Sequence, residues 1–457
     1  MSLTLRPYQQ RAVHDLRLAF RDGARAPLLV LPTGGGKTIC MAEILRGVAA
    51  RDRSAVVLVH RRELITQTAH KLSLAGVPHG IIAAGSSPTD HAIQVASVQT
   101  LVRRLEQVNT TPDLIVIDEA HHATAGSWKR VMDHWPDALR LGVTATPVRL
   151  DGRGLSAVFD RLIHGPSVAD LIFTDYLVNS RMYAPPAVAD LSALKRRAGD
   201  FATDQATAAM DRPTVTGDAI DHYQRLAKGQ RAIVFCCSVQ HAEHVAAQFL
   251  AAGIPAATLL GTAASHDRDA TVARFDAGAV QVLVTVDVVS EGFDIPAASC
   301  AILLRPTQSL GLYLQQVGRV LRPAPGKTHA VILDHVGNVL RHGFPDDPRE
   351  WGLEGVVRRA GAAGPAAPSV RTCPQCFAAF KPAPACPVCG ADCAPEPRRE
   401  IRQVAGELKE LQREAVRQRV TQRKRARTLP ELLALAKERG YSPGWAHRVH
   451  NARQQRA

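Results

Sequence analysis

The chain has 457 residues, 46% of them hydrophobic and 21% charged, with a mean hydropathy of −0.07, a balance that fits a globular protein of about three domains. No run approaches the ~18 apolar residues of a membrane span, and the opening MSLTLRPYQQRAVHD has no signal-peptide apolar stretch, so a cytoplasmic location is the expectation. A formal charge of +14 points to a polyanionic partner, because neutralising phosphates with Lys and Arg drives nucleic-acid binding; from Glu396 to Ala457 sixteen Lys and Arg face seven Glu, so nine of those charges sit in the tail.

In chain order, Val13, Leu16 and Phe20 at helical spacing follow the polar entry LRPYQQ. Leu28 to Thr38, LLVLPTGGGKT, is an apolar strand running into a glycine turn that ends in Lys37-Thr38. Gly34, Gly35 and Gly36 let several N–H groups point into one concavity, and the next helix offers its positive end to the same place, which makes a phosphate cradle. The strict G-x-x-x-x-G-K-[ST] pattern asks for glycine where this chain has Leu31. Ala55 to Val59 is a near-continuous apolar run, as expected of a strand buried on both faces, and HRRELITQTAHKL after it reads as helix. Ile81 to Ala84, Ile93 to Val98, Leu114 to Ile117 and Leu141 to Thr144 are further strands. Asp151 to Thr214, with Pro185-Pro186, reads as a joint.

A second series follows: strands at Ala232 to Phe235, Ala256 to Leu260, Val280 to Val284, Ala301 to Leu304 and Ala330 to Asp334, with helices at Gln240 to Leu250, His266 to Phe275 and around Leu310 to Val317. This alternation is the doubly wound α/β pattern, given twice in tandem. Pro345 to Pro368 has linker composition. Of nine cysteines, Cys40, Cys236, Cys237 and Cys300 lie in or beside apolar stretches, and five cluster between Cys373 and Cys393. Cys373-x2-Cys376-x9-Cys386-x2-Cys389 has the paired-knuckle spacing of a closed, structural zinc ribbon, with Cys393 left over. Beyond it, Arg398 to Arg427 favours a charged helix, Thr428 with Glu431 forms a capping box for a helix stopping at Gly440, and Ser442-Pro443 opens a last helix carrying Trp445. These terminal helices would grip nucleic acid or dock a protein partner, and both readings stay open.

Leu114 to His122, LIVIDEAHH, delivers two carboxylates at the carboxyl end of a buried strand. Phosphoryl transfer to water needs a magnesium ion on the phosphate oxygens and a base that orients the water. Asp118 with Thr38 fits the first need and Glu119 the second.

PTGGGKT, DEAH (Asp118 to His121), TATP (Thr144 to Pro147) and QQVGRVLR (Gln315 to Arg322), in this order, resemble the motifs of superfamily 2 helicases of the DEAH form. The Pro-Thr-Gly cradle and the opening LRPYQ resemble the branch of restriction-enzyme motor subunits, RadD-type repair proteins and prophage helicases, in which the place of Leu31 is not glycine. The resemblance covers residues 3 to 340 and implies two RecA-like P-loop domains with parallel sheets, at residues 1–175 and 176–345, followed by a linker at 346–370, the ribbon at 371–395 and a basic helical tail at 396–457. It implies an ATP-dependent DNA helicase or translocase of a repair, recombination, prophage or restriction setting; an RNA helicase, or an ATPase that switches binding without unwinding, are the alternatives. ATP, Mg2+ and Zn2+ are the expected cofactors.

The resemblance assigns Thr33, the three glycines and Lys37 to phosphates, Arg6 and Gln9 to adenine, Gly292 and Asp294 to ribose and coupling, and Gln315 and His121 to relay between the lobes. Arg319 and Arg322 resemble the paired arginines that meet charge developing on the transferred phosphoryl. The plain alternative for these two is a solvated ridge on one helix face. His60, Arg61 and Arg62, and Ser97, Gln99 and Thr100, resemble contacts to a phosphate backbone, which position a strand without reading its bases. His122 reads as a bystander.

Overall fold

The computed structural model describes residues 4–87, 89–108, 111–149, 152–184, 195–197, 200–286, 295–356, 369–393, 426, 428–438, 444, 446–447 and 450–451. The chain divides into two units, Met1–Ala394 and Pro395–Ala457.

The first lobe of the large unit runs α1 (Pro7–Arg21), β1 (Pro27–Val30), α2 (Lys37–Ala49), β2 (Ala55–Val59), α3 (Arg62–Leu74), β3 (Gly80–Ile82), β4 (Ile93–Ser97), α4 (Val98–Arg104), β5 (Leu114–Asp118), α5 (Gly126–His134), β6 (Leu139–Thr144) and β7 (Arg161–His164). Its seven strands lie in the order β3-β4-β2-β5-β6-β1-β7, all parallel. β1, β2 and β5 are buried along their whole length, which is why they read as unbroken apolar runs. Successive residues feed opposite faces: Leu29 and Leu31 enter the core under α1 to α3, whereas Leu28 and Val30 enter the core beneath α4 and α5. Leu31 is therefore a core residue. A Cβ on Gly165, just past β7, would collide with its side chain, so Gly165 supplies the room that this leucine needs.

A helix, α6 (Val168–Phe173), crosses to the second lobe. That lobe comprises β8 (Asn179–Tyr183), β9 (Arg196–Arg197), β10 (Asp200–Phe201), α7 (Thr203–Met210), α8 (Pro213–Leu226), β11 (Ala232–Phe235), α9 (Val239–Ala251), β12 (Ala256–Leu259), α10 (Ser265–Asp276), β13 (Val282–Thr285), β14 (Cys300–Leu303), α11 (Leu310–Gly318), β15 (His329–Asp334) and α12 (Asn338–His342). Its sheet order is β12-β13-β11-β14-β15-β8, parallel throughout. The expected joint from Asp151 to Thr214 is thus corrected. It contains β7, an edge strand of the first sheet, and β8, a strand of the second, with α6 between them. β7 escaped notice because an edge strand, RLIH, is buried on neither end and carries no apolar run.

The expected linker from residue 346 is corrected as well. β16 (Trp351–Gly352) and β17 (Gly355–Val356) form an antiparallel hairpin whose Trp351 and Leu353 pack into the first lobe, although the chain has just left the second. Leu353 O accepts from Leu155 N at 2.6 Å and from Ser156 N at 3.0 Å. Arg349 organises this return by donating to the carbonyls of His342, Phe344, Pro345 and Asp347 at 2.7–3.1 Å. Beyond it, β18 (Arg371–Thr372) and β19 (Ala378–Phe380) continue the second sheet, with β19 antiparallel to β8. The cysteine segment is therefore built onto the second lobe.

In the small unit α13 (Leu429–Glu438) has a core of Leu432, Ala436 and Ala446, and the Glu431 carboxylate accepts from Thr428 N at 2.9 Å as the capping-box pattern requires. Arg398 to Arg425, Ser442-Pro443, Trp445, Pro185-Pro186 and residues 357–368 lie outside the described residues. Among the described residues no helix is long and apolar enough to cross a membrane.

Candidate active site and nucleic-acid interface

The turn after β1 closes the cradle at the start of α2. Gly34 and Gly36 have φ of +87° and +80°, conformations in which a side chain is strained. A Cβ on Gly36 would also collide with Gln9 Nε2, and one on Gly34 would sit 2.9 Å from Leu177 and 3.4 Å from the Arg322 stem. The glycines thus serve two ends: they turn the backbone, and they let other elements lie against it.

A cavity of about 300 Å3 opens over this turn. Thr33, Gly34, Gly36, Lys37, Thr38, Asp118 and Glu119 line it from the first lobe, and Arg319 and Arg322 from the second. Lys37 Nζ lies 4.0 Å from Glu119 Oε1, with both side chains largely buried. Asp118, at the end of β5, is 4% exposed and its Oδ1 accepts from Glu119 N at 3.0 Å. Burial, then the adjacent Glu119 carboxylate, push the Asp118 carboxyl upward, and Lys37 opposes them. Two buried carboxylates side by side favour a bound cation, so the donor set of Asp118 and the Thr38 hydroxyl fits a magnesium ion. Glu119 itself has φ of +48°, a strained conformation for a non-glycine residue that aims its carboxylate into the cleft side of the sheet.

α11 stops at Gly318, so Arg319 and Arg322 do not form a ridge on one helix face. Arg319 is the C-cap residue and 6% exposed. Lys327, which the sequence reading passed over, donates at 2.6 Å to both Arg322 O and Ala298 O and so fixes the backbone that carries Arg322.

Gln9 lies behind the cradle, 3% exposed. Its Oε1 accepts from Arg6 N at 2.9 Å and its Nε2 donates to Gly35 O at 3.2 Å, so the protein itself satisfies the amide. Arg6 and Tyr176 line the cleft instead, with the guanidinium 4.5 Å above the Tyr176 ring. Tyr176 and the α3 residues Gln67 and Lys71, also in the lining, were not foreseen; a single aromatic in an apparent joint gives no periodic signal. Gln315 is buried on α11, away from the cleft lining. Gly292 and Asp294 lie outside the described residues.

The residues expected at a phosphate backbone come together at neighbouring strand ends. β2 and β4 pair with Val59 opposite Ser97, so the segment carrying Arg61 and the segment carrying Ser97, Gln99 and Thr100 leave the sheet at adjacent strand ends. Gln99 is exposed and the other three are half-buried. The α3 residue Arg62 is described in its backbone only.

In the cysteine segment the sulfurs of Cys373, Cys376, Cys386 and Cys389 all lie within 4.8 Å of one another. Cys373 to Cys389 and Cys376 to Cys386 are each 3.6 Å apart. A tetrahedral zinc with Zn–S near 2.3 Å requires about 3.8 Å between sulfurs, so this set fits the ion. Cys393 is buried beside the set and outside it.

Residues 2–149 match the family described as the type III restriction enzyme res subunit, and residues 217–324 match the helicase conserved C-terminal domain. A 51.5 kDa protein of a Lactococcus phage is 32% identical over 397 residues, 86% of this chain and 84% of its own. A Saccharomyces cerevisiae protein that carries the provisional name ATP-dependent helicase IRC3 is 30% identical over 354 residues, 73% of this chain; the chain spans 51% of that relative's length. A solved fragment from Vibrio vulnificus, provisionally called the HsdR subunit of a type I restriction enzyme, shares the fold with a TM-score of 0.59 at 20% identity, covering 77% of this chain and 70% of the fragment. Both halves of the large unit are accounted for by these matches, and the chain belongs to the superfamily 2 helicases of the restriction-subunit type.

Proposed function

We propose that this helicase-family ATPase is a DNA helicase or translocase that couples ATP hydrolysis to movement on, or unwinding of, DNA. The observation that carries the reading is the cleft into which Lys37, Asp118 and Glu119 project from one lobe and Arg319 and Arg322 from the other. Lys37 and the cradle amides hold the β- and γ-phosphates. Magnesium, when bound by Thr38 and Asp118, supplies charge neutralisation between the phosphates. Glu119 orients water for in-line attack and takes its proton. Arg319 and Arg322 stabilise the charge that spreads over the transferred phosphoryl, and their arrival from the second lobe ties the chemistry to lobe closure. Arg61, Ser97, Gln99 and Thr100 hold one strand by its phosphates while the second lobe shifts along it. The four-cysteine set holds a structural zinc, and the basic tail adds affinity for DNA or docks a protein partner.

The match of residues 2–149 to the res subunit of a type III restriction enzyme supports DNA over RNA. The test is the ATPase rate with single-stranded DNA and with RNA of equal length and sequence, followed by displacement of a triplex-forming strand. Stimulation by DNA with triplex displacement is expected. Stimulation by RNA alone would make it an RNA helicase, and DNA-stimulated hydrolysis without displacement would make it a switch.

A further inference from the structure

Two consecutive histidines, His121 and His122, follow Glu119 and Ala120. The structure places both in one row. Glu119 begins a one-turn 3-10 helix, Ala120 to His122, that turns successive side chains out of the alternation a strand would impose. His121, 8% exposed, has Nδ1 3.5 Å from Glu119 Oε2 and 3.3 Å from Thr144 Oγ1. The Thr144 hydroxyl donates its only proton to Thr146 O at 2.9 Å, so its oxygen accepts, and His121 carries its proton on Nδ1. The His121 ring meets His122, with centroids 4.2 Å apart. His122 in turn meets His60, with centroids 4.6 Å apart. His60 leaves β2, and its Nε2 accepts from Arg61 Nε at 3.2 Å. Three imidazoles therefore lead from the carboxylate to the end of β2, which is followed by Arg61 and lies beside the end of β4 at Ser97.

We infer that His122 is a positioning residue that couples nucleic-acid binding at the β2 and β4 ends to the catalytic carboxylate. The inference rests on the proposed function. Packed side chains transmit a displacement when each has little room to yield. A strand bound at Arg61 moves His60; His122 is the ring between His60 and His121, and His121 sets the environment of Glu119. His122 is not among the residues that line the cleft cavity. Its removal should leave ATP binding and DNA binding in place and break only the link.

The test uses the full chain as wild type, His122→Ala and His122→Phe, with ATP turnover measured without DNA and across a titration of single-stranded DNA. For His122→Ala, a DNA-free rate and a DNA half-saturation within about threefold of wild type are expected, with DNA-stimulated kcat down about tenfold. His122→Phe, which keeps a ring between His121 and His60, should restore most of the stimulation. Full stimulation of His122→Ala overturns the inference. So does an equal fall of the DNA-free and stimulated rates, which would make the residue structural, or a weakened half-saturation with normal kcat, which would make it a binding residue. A wild-type protein that hydrolyses ATP equally with and without DNA refutes the proposed function itself, a result legible before any variant is made.

Discussion

Gly318→Ala isolates the contact between the lobes. Gly318 ends α11 at a negative φ, and alanine is the better helix former, so the change is locally benign. Across the cleft it is not. The added Cβ would stand 2.5 Å from Thr33 Cβ and 2.9 Å from Thr33 Cγ2, where carbon atoms in contact settle at about 3.5–4 Å. The end of α11 must retreat by about 1 Å, and Arg319 and Arg322, which follow directly, retreat with it. A misplacement of that size costs about a hundredfold in rate. Since the cradle belongs to the first lobe, binding of a fluorescent ATP analogue should stay within about threefold, whereas phosphate release under saturating ATP and DNA should fall by about 10- to 100-fold. A turnover number equal to wild type would refute the claim that the second-lobe arginines act in a closed cleft held at this contact.

Two further outcomes follow from the architecture. Metal analysis should find stoichiometric zinc, and its removal by a strong chelator or by Cys376→Ser should raise hydrogen exchange in residues 369–393 and along β8, because β19 pairs with β8; unchanged exchange in the zinc-free protein would mean that the four thiols need no metal. Arg349→Ala strips the donors from four carbonyls and should lower unfolding stability by about 3 kcal/mol in urea titration, with Arg349→Lys recovering only part, since an ammonium cannot reproduce the guanidinium fork.

The parts of this molecule legible in its sequence are those whose chemistry forces a local pattern. β1, β2 and β5 are buried on both faces, so each announces itself as an apolar run. The cradle needs glycine at positive φ and the zinc knuckles need paired cysteines, and both needs write themselves as spacing. Leu31 illustrates the converse: a mismatch to the generic loop is a core side chain whose space is made by Gly165, more than 130 residues away. Contacts between distant segments leave no such trace. Tyr176 under Arg6 and the hairpin at Trp351 depend on where two lobes meet, Lys327 ties Arg322 O to Ala298 O within the second lobe, and a glycine- and arginine-rich composition concealed the hairpin as a linker. The His121–His122–His60 row is of the same kind, because its members come from two strand ends that only the sheet order makes adjacent.

The central claim, that one cleft binds ATP through the first lobe and hydrolyses it with Glu119 as base, is tested most directly by Glu119→Gln. The amide keeps the size of the side chain 4.0 Å from Lys37 and removes its charge and basicity. Nucleotide titration and single-turnover hydrolysis should be measured together, in the presence of magnesium and single-stranded DNA. The account predicts ATP affinity within about threefold of wild type and a rate lower by about a hundredfold or more, the usual contribution of a positioned base. Hydrolysis at the wild-type rate would contradict it.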